Sequence, residues 1–208
     1  MVRLTLTLTS EGGADSTATR GASRLGGTWA TKYQTNGGFF DHDIRHWDIA
    51  PDGDYFEQLF RVSKNQIIFG GNYFDLPPTR CFIIWRKTNI PTEGFTLSPV
   101  EYAWTSFDRN AECFERGSAG TARKPRMHPT QKPVALYEWI LEKFAEPGMR
   151  VLDTHVGSAS SLIACERMGF EYTGYEIDET YYKLASERLD KETRQLTMFG
   201  AFNTKEAR

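Results

Sequence analysis

The feature that most constrains this chain is an alternation of periods near its C-terminus. Arg150 to Asp153 (RVLD) has the apolar run of a buried strand, and Ser158 to Met168 has helical spacing. Tyr172 to Glu176 (YTGYE) is strand-like again, and Glu179 to Leu189 is helical. Strand, helix, strand, helix predicts a parallel α/β unit, because parallel neighbours need a crossover long enough to hold a helix. Ligands of such sheets lie beyond the carboxyl ends of the strands, which here means the loop after Asp153 and the turn after Glu176.

That loop has the residues a nucleotide-like ligand requires. In VLDTHVGSASS, Val151 to Ser161, a strand ends in Asp153, Gly157 lies in the turn, and the next helix opens on Ser158, Ala159, Ser160 and Ser161. Small side chains let a ligand approach the backbone, and the first N–H groups of a helix have no partner within it. Glu176, in GYEID, stands about 20 residues on, where the acidic residue of a Rossmann-like unit accepts from ribose hydroxyls. The G-x-G-x-x-G of a dehydrogenase is absent. One glycine among an acid and serines suits S-adenosylmethionine, which has no diphosphate to cradle. Singly, Asp153 has a plain reading as a loop cap and Glu176 as a solvated strand end. As a pair on adjacent strands they favour the cofactor.

Upstream, Arg3 to Thr9 alternates Leu and Thr as a half-buried strand does, and Ser10 to Gly38 is a long Gly- and Ser-rich loop. Asp54 to Val62 is expected to be helical, capped by Asp52 or Asp54. Gln66 to Phe69, Cys81 to Trp85 and Val100 to Phe107 are strand candidates, and Asp108 to Arg126 is expected to be loop. HPTQKP, His128 to Pro133, precedes an amphipathic helix from Pro133 to Phe144, with Thr130 as a candidate N-cap.

Taken together, MHPTQKPVALYEWIL, RVLDTHVGSAS and TGYEID resemble the N6-adenine/N4-cytosine DNA methyltransferases of the β order, found in phages and restriction-modification systems. WDIAPDGDYFEQLFRVSKNQIIFGGNYF, CFIIWRK and EYAWTSF extend the likeness over roughly Trp47 to Phe199. The resemblance implies a Rossmann-like S-adenosylmethionine-dependent methyltransferase fold, α/β, mostly parallel, with helices on both faces. It implies cofactor contacts from Asp153, Gly157 and Ser158, ribose contact from Glu176, and methionine-side contact from Thr130, Gln131 and Lys132. The family's loop reads Asp-Pro-Phe-x-Gly-Ser-Gly. Here Thr154 and His155 replace the Pro and the aromatic residue, Ala159 replaces the last glycine, and His155 is expected to form part of the pocket wall.

The family's catalytic loop, Asp-Pro-Pro-Tyr, is not found. That loop accepts hydrogen bonds from an exocyclic amine whose lone pair is delocalised, and stacks an aromatic ring on the flipped base. Asp75-Leu76-Pro77-Pro78-Thr79 has an extra residue and no aromatic, and follows a segment that lies downstream of the catalytic loop in the family. By position the loop belongs after Thr9, where only Ser10 and Glu11 offer acceptors. Residues 1 to about 40 are expected to be poorly ordered or degenerate, whether truncated, frame-shifted or variant. Residues 41–208 then form one methyltransferase domain, with a catalytic and target-recognition half at 41–127 and a cofactor half at 128–190.

Composition narrows the partners. The 208 residues carry a net charge of -2, which excludes a globally basic nucleic-acid binder but not a local basic surface. Arg116, Arg123, Lys124, Arg126, His128 and Lys132 form such a stretch, with a solvated loop as its plain reading. Cys81, Cys113 and Cys165 are an odd count without metal-like spacing, expected to be reduced thiols, and none lies in the Pro-Cys context of a cytosine-C5 nucleophile. No metal is expected. No run reaches the roughly 20 apolar residues of a membrane span, and no signal pattern opens the chain, so a cytoplasmic protein is expected. Double-stranded DNA is the expected partner, and a homodimer is left open. Two functions compete: methyl transfer to an exocyclic amine, adenine N6 before cytosine N4, and a catalytically silent remnant that binds cofactor or DNA. A small-molecule or protein methyltransferase is a weaker third, since the fold does not fix the substrate.

Overall fold

Alternating apolar residues build the sheet, and helical stripes cover it. The structure, a computed structural model, describes residues 5–9, 50–94, 98–118 and 126–203. The strands are β1 (Thr5–Thr9), β2 (Asn65–Phe69), β3 (Phe82–Arg86), β4 (Val100–Thr105), β5 (Glu112–Glu115), β6 (Arg150–Asp153) and β7 (Glu171–Gly174). The helices are α1 (Gly53–Val62), α2 (Val134–Phe144), α3 (Ser160–Met168) and α4 (Glu179–Asn203).

The seven strands form one sheet in the order β5-β3-β4-β2-β1-β6-β7. Five run in one direction. β1 and β4 run against them, which makes four of the six pairings antiparallel and leaves β3–β5 and β6–β7 parallel. Both faces are covered, as the Rossmann-like expectation requires. Ile67, Phe69, Ile83, Trp85, Ala103 and Val151 pack one face against Leu136, Ile140 and Leu141 of α2 and Ala164 and Cys165 of α3. Ile68 and Trp104 face the other way, against Leu59 of α1, with Phe56 and Phe60 beside them. The period of two along β2 therefore sends neighbouring residues into opposite layers.

Several local expectations shift. Asp52 rather than Asp54 caps α1, its side chain accepting the Tyr55 N–H at 3.0 Å. The expected loop from Asp108 to Arg126 contains β5, a four-residue edge strand on β3. Its exposed and half-buried residues alternate, but four residues in a polar stretch are too few to stand out as a period. α3 begins at Ser160, two residues later than expected, and α4 continues past Leu189 to Asn203.

β1 has the largest consequence for function. It lies between β6 and β2, with Leu6 opposite Asp153 and Thr9 opposite Arg150. It therefore carries the chain away from the carboxyl edge of β6 instead of toward it.

Candidate functional site

The site grows from the turn after β6. The Asp153 side chain is fully buried and accepts the Ser161 hydroxyl and, at 2.9 Å, the His155 N–H. Burial pushes its carboxyl up to about 7, against the pull of those two hydrogen bonds. Two left-handed residues then reverse the backbone, Gly157 at φ 54° and Ala159 at φ 57°. A Cβ on Gly157 would lie 3.3 Å from the His128 ring. Glycine is required there twice over, by conformation and by the packed ring. The Gly157 N–H donates to Glu176 at 2.7 Å, and the other Glu176 oxygen accepts the Asp178 N–H at 3.0 Å. One carboxylate thus ties the loop after β6 to the turn after β7.

A cavity of about 350 Å³ opens beyond these strand ends, within the size range of small-molecule sites. One wall is His155, Gly157 and Ser158, and another is Glu176 with Ile177. Thr130, Gln131 and Lys132 form a third, and Asp52 and Tyr55, at the start of α1, close the fourth.

Electrostatically the cavity has two unlike ends. Lys132 is buried, its Nζ 3.2 Å from one oxygen of Glu101 and 4.8 Å from the centre of the Phe69 ring. The other Glu101 oxygen takes Lys87 at 2.9 Å. Although burial raises the Glu101 carboxyl, Lys132 and Lys87 together hold it below its ordinary value. Two ammonium groups share the Glu101 carboxylate, and the Lys132 charge also acts on the buried Asp153 carboxyl. Glu176 supplies negative charge on another wall.

The HPTQKP segment departs from its expected local role. Thr130 does not cap α2. Pro133 occupies the N-cap without a side-chain bond. Thr130 instead closes onto His128 Nδ1, through its N–H at 3.2 Å and its hydroxyl at 3.0 Å. The buried His128 ring packs edge-on against Tyr181, 4.2 Å between centroids, and against Gly157. Gln131 reaches back to accept the Met127 N–H at 2.9 Å. This segment folds on itself to present one cavity wall.

Of the residues expected to contact cofactor, Thr130, Gln131, Lys132, His155, Gly157, Ser158 and Glu176 all line the cavity. Asp153 does not. Its oxygens are spent shaping the turn beneath. Ser10 and Glu11 lie outside the described residues, and Thr9, which precedes them, stands at the edge away from the cavity. The Asp75 string lines no part of it. In the basic stretch, 119–125 lie outside the described residues, Arg116 and Arg126 are exposed, and His128 and Lys132 are buried. Those last two are therefore withdrawn from any phosphate surface. Sequence reasoning missed Asp52, Tyr55 and Tyr137 as cavity residues. Tyr55 and Tyr137 fall within the helices expected from Asp54 to Val62 and from Pro133 to Phe144, and nothing local marks them as cavity residues.

The cavity lies at the carboxyl ends of parallel β6 and β7 on a Rossmann-like sheet, with a tight glycine turn on one side and a strand-end acid on the other. Comparison with known proteins gives the family. Residues 84–187 match the DNA methylase family of N6/N4 type, and the chain belongs to it. The family uses S-adenosylmethionine. The chain is 37% identical to the methylase YubD of Escherichia coli K12, over 64% of this chain and 66% of that one. It is 43% identical to the type II methyltransferase M.HpaI of Haemophilus parainfluenzae, over 34% of this chain and 22% of that one. The chain therefore spans just under two thirds of one relative and just over a fifth of the other. The solved complex of M1.HpyAVI with S-adenosylmethionine aligns over 52% of this chain and 60% of its own, with 27% identity and a TM-score of 0.44. That likeness is loose, and the family assignment rests on the sequence match. Among the described residues no helix is long and apolar enough to cross a membrane.

Proposed function

We propose that this chain binds S-adenosylmethionine in the cavity and transfers its methyl group to an exocyclic amine of double-stranded DNA, adenine N6 before cytosine N4. The observation that carries the binding step is the Glu176 carboxylate. It holds Gly157 in place and lines the cavity at the position from which ribose hydroxyls are accepted. The Lys132 ammonium on the cavity wall suits the methionine carboxylate. Thr130, Gln131, His155 and Ser158 complete the contact surface, and the buried Asp153 supports it from below. Transfer would be a direct displacement. The amine nitrogen attacks the methyl carbon, the carbon–sulfur bond breaks to release S-adenosylhomocysteine, and the amine gives up one proton. A flipped base would have to reach the cavity mouth.

A second reading is a remnant that binds cofactor or DNA without catalysis. The antiparallel course of β1 favours it, since β1 leaves the sheet on the edge away from the cavity. The two are separated by incubating the protein with methyl-labelled S-adenosylmethionine and unmethylated DNA, while measuring cofactor binding by calorimetry. Binding with label on DNA adenine supports the first. Binding without label selects the second, and absence of binding overturns both.

A further inference from the structure

The stripe that α2 buries consists of Leu136, Tyr137, Ile140, Leu141 and Phe144. Only Tyr137 among them brings a polar side-chain atom into the core. Tyr137 is 3% exposed, and its ring meets Phe69 edge-on with centroids 6.3 Å apart. A leucine or phenylalanine would pack there without an oxygen to satisfy.

No hydrogen bond joins the Tyr137 hydroxyl to the described residues. A buried phenol ordinarily finds a partner, because an unpaired hydroxyl in an apolar setting is costly. The oxygen is not shut away as a buried unsatisfied atom, and Tyr137 lines the cavity. The cavity, and whatever occupies it, is therefore the outlet of this hydroxyl.

The neighbouring groups define what it would meet. Lys132 lines the same cavity, itself buried, with Nζ 4.8 Å from the centre of the same Phe69 ring. Burial, reinforced by the charges of Asp153 and Glu101, pushes the Tyr137 phenol well above its ordinary value, so it keeps its proton. A protonated phenol and an ammonium group both donate. A carboxylate, with two oxygens and about four lone-pair sites, is the acceptor that takes both at once.

We propose that the Tyr137 hydroxyl donates to the carboxylate of the ligand in the cavity, alongside Lys132, and so selects a cofactor that carries an amino-acid carboxylate. The identity of the ligand rests on the cofactor reading above. The contact adds α2 to the elements that recognise the ligand, at a position that otherwise looks like plain core.

Calorimetry on wild type and Tyr137→Phe tests the contact with two ligands, S-adenosylmethionine and its decarboxylated analogue. The variant is expected to bind S-adenosylmethionine about 10-fold more weakly, the loss of one hydrogen bond to a charged group. Its affinity for the decarboxylated analogue should stay within about 2-fold of wild type. Urea unfolding without ligand should give Tyr137→Phe a midpoint equal to or above that of wild type, because no internal hydrogen bond is broken. Wild-type affinity of the variant for S-adenosylmethionine overturns the proposal, since the hydroxyl then meets only water. An equal loss for both ligands also overturns it, placing the contact away from the carboxylate. A lower urea midpoint in the variant assigns the hydroxyl a structural partner instead. Wild type that binds no S-adenosylmethionine overturns the cofactor reading and the contact together, whereas the other three outcomes remove the contact and leave that reading standing.

Discussion

Glu176 and Gly157 are joined by a 2.7 Å hydrogen bond from the glycine N–H to the carboxylate, across 19 residues of chain. This bond converts two loops into one wall. A Glu176→Ala variant loses it together with the Asp178 N–H contact. The expected result is a destabilisation of about 1–3 kcal/mol in urea unfolding. Binding of S-adenosylmethionine, measured by calorimetry, should fall by more than about 10-fold, while Glu176→Gln, whose single amide oxygen keeps one of the two N–H bonds, should lie between wild type and alanine in stability.

The left-handed turn makes a conformational prediction. Gly157→Ala places a Cβ 3.3 Å from the His128 ring at φ 54°, and should lower stability by about 1–2 kcal/mol. At Ala159, φ 57° strains an L residue, yet its methyl is buried with Val156 and Leu162. Ala159→Gly relieves the strain and loses the methyl, effects that offset to within about 1 kcal/mol. Ala159→Val adds a β-branch at positive φ and should cost more than about 2 kcal/mol. An equal response of all three to thermal unfolding would remove the left-handed turn from the account.

Asp153 makes the stability depend on pH. Its carboxyl rises from 3.8 to about 7 on burial, so the folded state holds the proton more tightly than the unfolded state does. Its contribution is complete below about pH 4 and is lost as pH rises through about 7, by an amount of order a few kcal/mol at most. Wild type should therefore lose stability relative to Asp153→Asn between pH 5 and pH 8 in paired urea titrations. A constant difference across that window would assign Asp153 an ordinary carboxyl.

Lys132 carries a prediction that separates binding from folding. In Lys132→Met the Glu101 carboxylate keeps its Lys87 partner at 2.9 Å, which limits the loss of stability to about 2 kcal/mol. The positive charge at the cavity disappears. Affinity for S-adenosylmethionine should drop about 10- to 100-fold, the value of a charge-assisted hydrogen bond. If affinity is unchanged, the carboxylate of the ligand lies elsewhere.

Much of this was written in the sequence. Apolar runs located β2, β3, β4 and β6, because a strand buried on both faces needs continuous hydrophobicity. The pairing of a glycine turn with Glu176 was legible because both stand at fixed offsets from strand ends, and a crossover of that length brings those ends together. The HPTQKP segment could be placed at the site by resemblance, without its fold. Three things were decided only in three dimensions. A side-chain period of two tells which residues share a face, but it is the same read in either direction, so the reversed course of β1 beside β6 left no trace in RLTLTLT. Lys132 resembled a surface cation until Glu101 and Phe69, from two other strands, enclosed it. Tyr55 resembled an ordinary aromatic on α1 until α1 docked beside the glycine turn and put its hydroxyl against Thr154. A sequence encodes local periods and offsets directly. Contacts between distant elements exist only once the sheet order has been set.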